Sequence, residues 1–213
     1  MTADLWSERA EAYRTSEAHR EGADLDLLVE WATGARTALD VATGGGHVAR
    51  RLREAGLEVV SCDPAPGMGP DVVCRAEDLP FAAGSFDVVA CRVAAHHFED
   101  VVRAVAEMAR VARAHVLVVD NLYVGEAAEE ADRIRDPSHV RNYTEAEWRE
   151  LLTRSGLAIE QVVVLDKAIS LEPWLERAGC GGKEAERVRA LLADRIEGEA
   201  LTLPRIALRG WKR

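Results

Sequence analysis

The strongest constraint on this chain is a change of hydrophobic rhythm between Thr37 and Asp63. TALDVAT is short and apolar, GHVARRLREAG repeats its apolar residues at helical spacing, and LEVVSCD is short and apolar again. Strand, helix, strand in that order makes a parallel βαβ unit, since only a crossover returns the chain to run alongside itself in the same direction. Apolar runs at DVVC, FDVVACRV and HVLVVDNLYV continue the sheet, with the amphipathic helix EDVVRAVAEMARVA between the last two. Helices are expected at TEAEWRELLTRSG, where Thr144 and Glu147 make a capping box, and at KEAERVRALLADRIEG. Each precedes a strand run, LAIEQVVVLD and LTLPRIALRGWKR, outside the βαβ rhythm, which permits an antiparallel strand at the end. Ahead of the sheet, Leu5, Ala10, Ala12 and Tyr13 mark one helix and Leu25, Leu27, Leu28, Trp31 and Ala32 a second. The expectation is a single domain over 1–213 with 1–34 as a helical flap.

Composition narrows the partners. A net charge of −10 without a basic block repels a nucleic-acid backbone, so small molecules are favoured. No apolar run approaches the roughly 20 residues of a membrane span, and MTADLWSERAEAYR is acidic where a signal peptide is basic, so a cytoplasmic protein is expected. Cys62, Cys74, Cys91 and Cys180 show no C-x-x-C spacing, and free thiols are expected with no metal site.

Between the first strand and its helix, Leu39-Asp40-Val41-Ala42-Thr43-Gly44-Gly45-Gly46 lets backbone approach a ligand with no Cβ in the way. A glycine turn of this kind also serves dinucleotide-binding proteins, and Asp40 discriminates. A carboxylate four residues before Gly44 would repel a pyrophosphate, but it suits the ammonium and sulfonium of S-adenosylmethionine. The second strand ends at Asp63, which can accept from both ribose hydroxyls. Asp40, Ala42, Thr43, Gly44, Gly46, Asp63 and Pro64 thus read as one adenosyl cradle.

The segments LDVATGGGHVA, AEDLPFAAGSFDVVACRVAAHHFED and DPSHVRNYTEAEWRELL resemble the class I S-adenosylmethionine-dependent methyltransferases, of the ubiquinone/menaquinone-biosynthesis type, from about Tyr13 to the C-terminus. The resemblance implies an α/β Rossmann-like sheet of seven strands in the order 3-2-1-4-5-7-6 with the seventh antiparallel. It implies methyl transfer to a small-molecule acceptor, with Gly44 and Gly46 at the methionine portion of the cofactor and Asp63 at the ribose. Ala76 with Glu77 or Asp78 would meet the adenine edge, Arg92 and Val93 the amino-acid end, and Tyr13 would close over the cofactor.

The chain departs from that pattern in three places. Only 64–70, with three prolines and two glycines, joins the second strand to DVVC, so the usual crossover helix is missing; seven extended residues reach about 23 Å, enough for a bare return to a short, exposed third strand. A homodimer contact is one way to cover the sheet face so exposed. Arg75, a donor only, stands where the family often accepts from the adenine amine. Arg113-Ala114 replaces the Pro-Gly-Gly turn before the fifth strand.

For an acceptor that needs a base, His96 and His97 after the fourth strand are the candidates; the same positions fit a cap for the next helix or packing beside Phe98. His139, Arg141 and Tyr143, in the polar loop after the fifth strand, are candidates for substrate contacts, or a surface connection. A nicotinamide-dependent reductase is disfavoured by Asp40 and by the lack of a Tyr-x-x-x-Lys pair. An adenosyl-binding regulator without turnover is the alternative from another class. A quinone ring would suit the resemblance, yet no basic amphipathic segment would bring the chain stably to a membrane-borne acceptor.

Overall fold

A computed structural model describes residues 2–212. Its sheet contains β1 (Thr37–Val41), β2 (Glu58–Asp63), β3 (Val72–Val73), β4 (Phe86–Arg92), β5 (Ala112–Asn121), β6 (Leu157–Ser170), β7 (Ile196–Glu197) and β8 (Ala200–Lys212). The order is β3-β2-β1-β4-β5-β8-β6, with the two-residue β7 folded back onto β8. This is the expected order, β8 being the seventh strand of the pattern, antiparallel to both β5 and β6. β7 is an addition that the sequence reading lacked.

Residues alternate across the sheet. Leu39, Val89, Cys91, Val116 and Val118 face one core with Met108, Trp148 and Leu152, while Ala38, Val88, Ala90, Leu117 and Val119 face the other with Leu25, Leu28, Trp31 and Leu52. Two buried faces explain why these strands read as continuous apolar runs. The helices covering the first core are α6 (Val101–Val111) and α8 (Glu145–Arg154); α4 (Ala23–Trp31) and α5 (His47–Glu54) cover the second. The capping box of α8 is formed, with the Thr144 amide donating to Glu147 Oε2 at 2.9 Å and the Glu147 amide to Thr144 Oγ1 at 3.2 Å.

Three differences from the sequence reading matter for the site. The first expected helix is broken into α1 (Thr2–Glu8) and α2 (Ala10–Arg14), and α3 (Glu17–Arg20) follows as an addition. Between β5 and the polar loop lies α7 (Glu126–Arg135), whose stripe of Ala128 and Ala131 is diluted by charge. After β6 comes α9 (Leu171–Arg177), and α10 ends early, spanning Gly182–Leu191. These helices share a separate small core of Trp174, Leu175, Val188, Leu192 and Leu201.

In place of a crossover helix, the 64–70 loop makes one 3₁₀ turn at Pro66–Met68 before the two residues of β3. The chain covers that loop itself: the Gly67 amide donates to Ser7 Oγ at 3.1 Å, Arg14 donates to the Gly67 carbonyl, and Met68 and Ala65 pack with Ala10, Trp6 and Tyr13. β3 remains an open edge, with Val73 56% exposed. Among the described residues no helix is long and apolar enough to cross a membrane.

Candidate active site

Parallel register brings the ends of β1, β2 and β4 level, Val41 pairing with both Cys62 and Cys91. Just beyond them Ala42 (φ 54°) and Val93 (φ 53°) adopt left-handed backbone, the two non-glycine residues to do so among those described. Such conformations cost of order 1–3 kcal/mol and cluster where a ligand site needs the chain turned sharply. Both line a cavity of about 390 Å³ over the strand ends, within the roughly 300–1,000 Å³ of small-molecule sites.

One half of the cavity is acidic. Asp40, 1% exposed, accepts from Thr43 Oγ1 at 2.5 Å and from the Ala49 amide at 3.0 Å, both on Oδ2. Burial, and to a lesser degree the nearby Asp63 charge, push its pKa up to about 6 against those two hydrogen bonds. Asp63 accepts from the Gly44 amide (3.0 Å) and the Ala65 amide (2.9 Å), one on each oxygen, so each oxygen keeps a lone pair, and burial raises its pKa too. Gly44 (φ 52°) has open space where a Cβ would stand, whereas a Cβ on Gly45 would lie 2.7 Å from the Tyr13 carbonyl oxygen. That carbonyl also holds His47 Nε2 at 2.9 Å, so the N-terminal segment rests directly on the glycine turn.

Of the residues read from sequence, Asp40, Ala42, Thr43, Gly44, Asp63, Pro64, Ala76, Glu77, Arg92, Val93, His96, His97 and Tyr13 all line this cavity. Gly46 does not; it caps α5 at φ 77° and Gly45 takes its place on the wall. Asp78 is exposed and also off the cavity. Glu77 is largely occupied, its Oε1 accepting from the Glu99 and Asp100 amides at 3.1 and 3.3 Å, and Arg75 pairs with Glu77 and Glu99. The Arg92 side chain is also committed, Nε donating to Asp24 Oδ2 at 2.8 Å and Nη1 to the His19 carbonyl at 3.0 Å.

The two histidines differ. His96 is buried, its Nδ1 2.6 Å from Asp120 Oδ1 and its amide donating to Asp120 Oδ2 at 2.9 Å. Burial opposes its protonation, but the Asp120 carboxylate prevails and raises its pKa. His97 Nδ1 lies 3.1 Å from the Ser138 carbonyl oxygen, which accepts its proton and leaves the lone pair on Nε2. Burial, and then the adjacent His96, drive the pKa of His97 well down.

The loop candidates turn away. His139 bonds Glu129 Oε1 at 2.9 Å, Arg141 pairs with Glu147 and lies over the Tyr143 ring, and Tyr143 packs edge-on against Trp148. None of the three lines the cavity; Ser138 and Arg135 from the neighbouring stretch do. Residues the sequence reading passed over complete the wall: His19, Lys167, Ile169, Trp174, Arg177 and Arg205. The available signal was strand alternation, since Lys167 and Ile169, like Leu203 and Arg205, are two apart on one strand face.

Known proteins share the sequence pattern and the fold. A methyltransferase-domain family matches residues 39–119. The uncharacterised methyltransferase YcgJ of Bacillus subtilis is 32% identical over 211 residues, covering 88% of this chain and 82% of that one. Its crystal structure superposes with a TM-score of 0.79 at 27% identity, over 89% of this chain and 98% of the other. The demethylmenaquinone methyltransferase of Beutenbergia cavernae is 39% identical over 85 residues, 35% of each chain. With the strand order, the glycine turn and the two strand-end carboxylates, these likenesses assign the chain to the class I S-adenosylmethionine-dependent methyltransferases.

Proposed function

We propose that this chain binds S-adenosylmethionine in the acidic half of the cavity and transfers its methyl group to a small-molecule acceptor. The observation that carries the reading is Asp63, a buried carboxylate held open at the end of β2, with a free lone pair on each oxygen to receive ribose hydroxyls. The other donor and acceptor groups fit the same ligand. Asp40 offers negative charge beneath the glycine turn, Gly44 leaves room for close approach, and Ala76, Met68 and Phe98 give apolar surface for a flat base. Gly46 and Asp78 fall outside this set, as do His139, Arg141 and Tyr143.

When bound, the cofactor supplies a carbon already activated for displacement by its sulfonium. The chain's contribution is then chiefly orientation and exclusion of water. Residues 2–20 lie over the glycine turn and act as the flap, with Trp6 and Tyr13 on the cavity wall and the Tyr13 carbonyl held by His47. For an acceptor that must lose a proton, His97 is the base. Ser138 fixes its tautomer, its lowered pKa keeps Nε2 unprotonated at neutral pH, and Trp6, with its ring centroid 4.8 Å away, orients the ring. His96, held through both Asp120 oxygens, is a positioning residue whose charged form Asp120 favours beside His97.

Calorimetric titration with S-adenosylmethionine, S-adenosylhomocysteine and NADH tests the reading. Binding of both adenosyl ligands, weakened at least tenfold in Asp63→Ala, is the expected result, a charged hydrogen-bond partner being worth about 1.5–3 kcal/mol. Binding of NADH alone would overturn it.

A further inference from the structure

The half of the cavity opposite Asp63 is built by an overhang. β8 pairs with β5 only up to Arg205 and Asn121, whereas β6 and β8 stay paired out to Ser170 and Ala200, beyond the edge of the sheet. Strand alternation turns Lys167, Ile169, Leu203 and Arg205 inward there, α9 adds Trp174 and Arg177, and the end of α7 adds Arg135. Among the described residues, Asp24 is the carboxylate that pairs with Arg92, Lys167 and Arg205. Asp24 Oδ2 accepts from Arg205 Nη1 at 2.7 Å and from Arg92 Nε at 2.8 Å, and Asp24 Oδ1 lies 3.9 Å from Lys167 Nζ.

Arg135 and Arg177 form no carboxylate pair among the described residues. Arg135 Nε donates to the Trp174 carbonyl at 3.0 Å, with its guanidinium 4.2 Å from the centre of the Trp174 ring. Arg177 Nη1 donates to Ser16 Oγ at 3.0 Å, and Arg177 Nε is buried with no partner within the described chain. The crowding shows in their neighbours. Burial, then Arg177, Arg205 and Arg92, push His19 well below its usual pKa, and burial with Arg135 lowers that of Arg177. In a chain of net charge −10, positive charge gathered in one apolar-walled recess is a site for an anion, because a low-dielectric wall magnifies the attraction. The cofactor does not discharge it: its single carboxylate is outweighed by its own ammonium and sulfonium.

We infer that the methyl acceptor is an organic anion whose carboxylate or phosphate is received by Arg135, Lys167 and Arg177 and whose apolar body lies on Trp174, Ile169 and Leu203. This rests on the assignment of the other half of the cavity to S-adenosylmethionine. Two guanidiniums and an ammonium on the wall of one cavity suit an oxyanion with several acceptor atoms, and Trp174, Ile169 and Leu203 line the same cavity.

Ligand-observed NMR titration of the full chain, saturated with S-adenosylhomocysteine, tests the inference with four probes: phenyl phosphate, 4-hydroxybenzoate, neutral 4-hydroxybenzamide and cationic benzylamine. At least one of the two anions should bind tenfold or more tighter than the amide and the amine, and which one does so tells phosphate from carboxylate. Arg177→Gln, Arg135→Gln and Lys167→Gln should each weaken the anion fivefold or more, while in Arg135→Gln and Lys167→Gln S-adenosylhomocysteine affinity changes less than twofold. Arg177 also holds Ser16, so Arg135→Gln is the variant that counts if Arg177→Gln misfolds. Anions that bind no better than the amide, or not at all, would overturn the inference. So would variants that weaken S-adenosylhomocysteine and spare the anion. Should S-adenosylhomocysteine itself fail to bind, the probe series on the free protein still decides the anion preference, and the two readings stand or fall separately.

Discussion

Asp40 is held in the wrong charge state for its surroundings. Its folded pKa of about 6 exceeds the usual carboxylate value, so the stability it contributes is fully present below about pH 4 and lost as pH rises through 6. Asparagine keeps an acceptor for Thr43 and Ala49 without the charge. Asp40→Asn should therefore stabilise the free protein at pH 8, by on the order of 1–3 kcal/mol, and give little gain at pH 4, while weakening S-adenosylmethionine binding. Thermal melts at the two pH values check the first part and calorimetry the second. His96 has the same sign for a different reason. Its raised pKa makes the contribution of the Asp120 pair largest below the ordinary imidazole value and smaller as pH rises through the folded value. Asp120→Asn should cost more stability at pH 6 than at pH 9 in urea denaturation, with a remainder at high pH from the His96 and Asn121 amides that Asp120 also accepts. His97, lowered by burial and by His96, should give a rising limb of kcat/KM well below pH 6.5 for acceptors that need a base, and His97→Gln should abolish that limb.

At the scale of elements, the N-terminal helices are tied to the sheet by close backbone approach and by one buried ion cluster. A Cβ on Gly45 would meet the Tyr13 carbonyl carbon at 2.9 Å as well as its oxygen, and backbone cannot swing aside as a side chain can. Gly45→Ala should therefore lift residues 2–20, seen as faster limited proteolysis near Tyr13 and several-fold weaker S-adenosylhomocysteine binding. Asp24 on α4 joins Arg92 at the end of β4 to Arg205 on β8, with all three side chains at most 7% exposed. Burial opposes its charge, yet the two arginines hold its pKa at about 2. Asp24→Asn leaves two buried cations facing each other and should cost about 3–5 kcal/mol at pH 7. The penalty should shrink as pH falls below 4 towards 2, where Asp24 itself becomes protonated.

Across the whole molecule, whose net charge is −10, one cavity joins an acidic half to a cationic overhang. Features that depend on local period and backbone freedom are legible in the residues alone. The strand-helix-strand rhythm from Thr37 to Asp63 requires the parallel sheet, the glycines after Asp40 mark the turn, and Asp40 and Asp63 are placed because each lies at the end of its own strand. Those relations span a few residues, and no distant contact changes them. The remainder follows from which elements meet in the fold. Lys167, Arg177, Arg205 and Arg135 come from four elements and read singly as solvated charges; only the overhang of β6 and β8, with α9 between them, turns them onto one recess. Tyr143 and His139 went the other way, Tyr143 onto Trp148 of α8 and His139 onto Glu129 of α7. A side chain's partners are set by which elements meet, and that is a property of the folded chain as a whole.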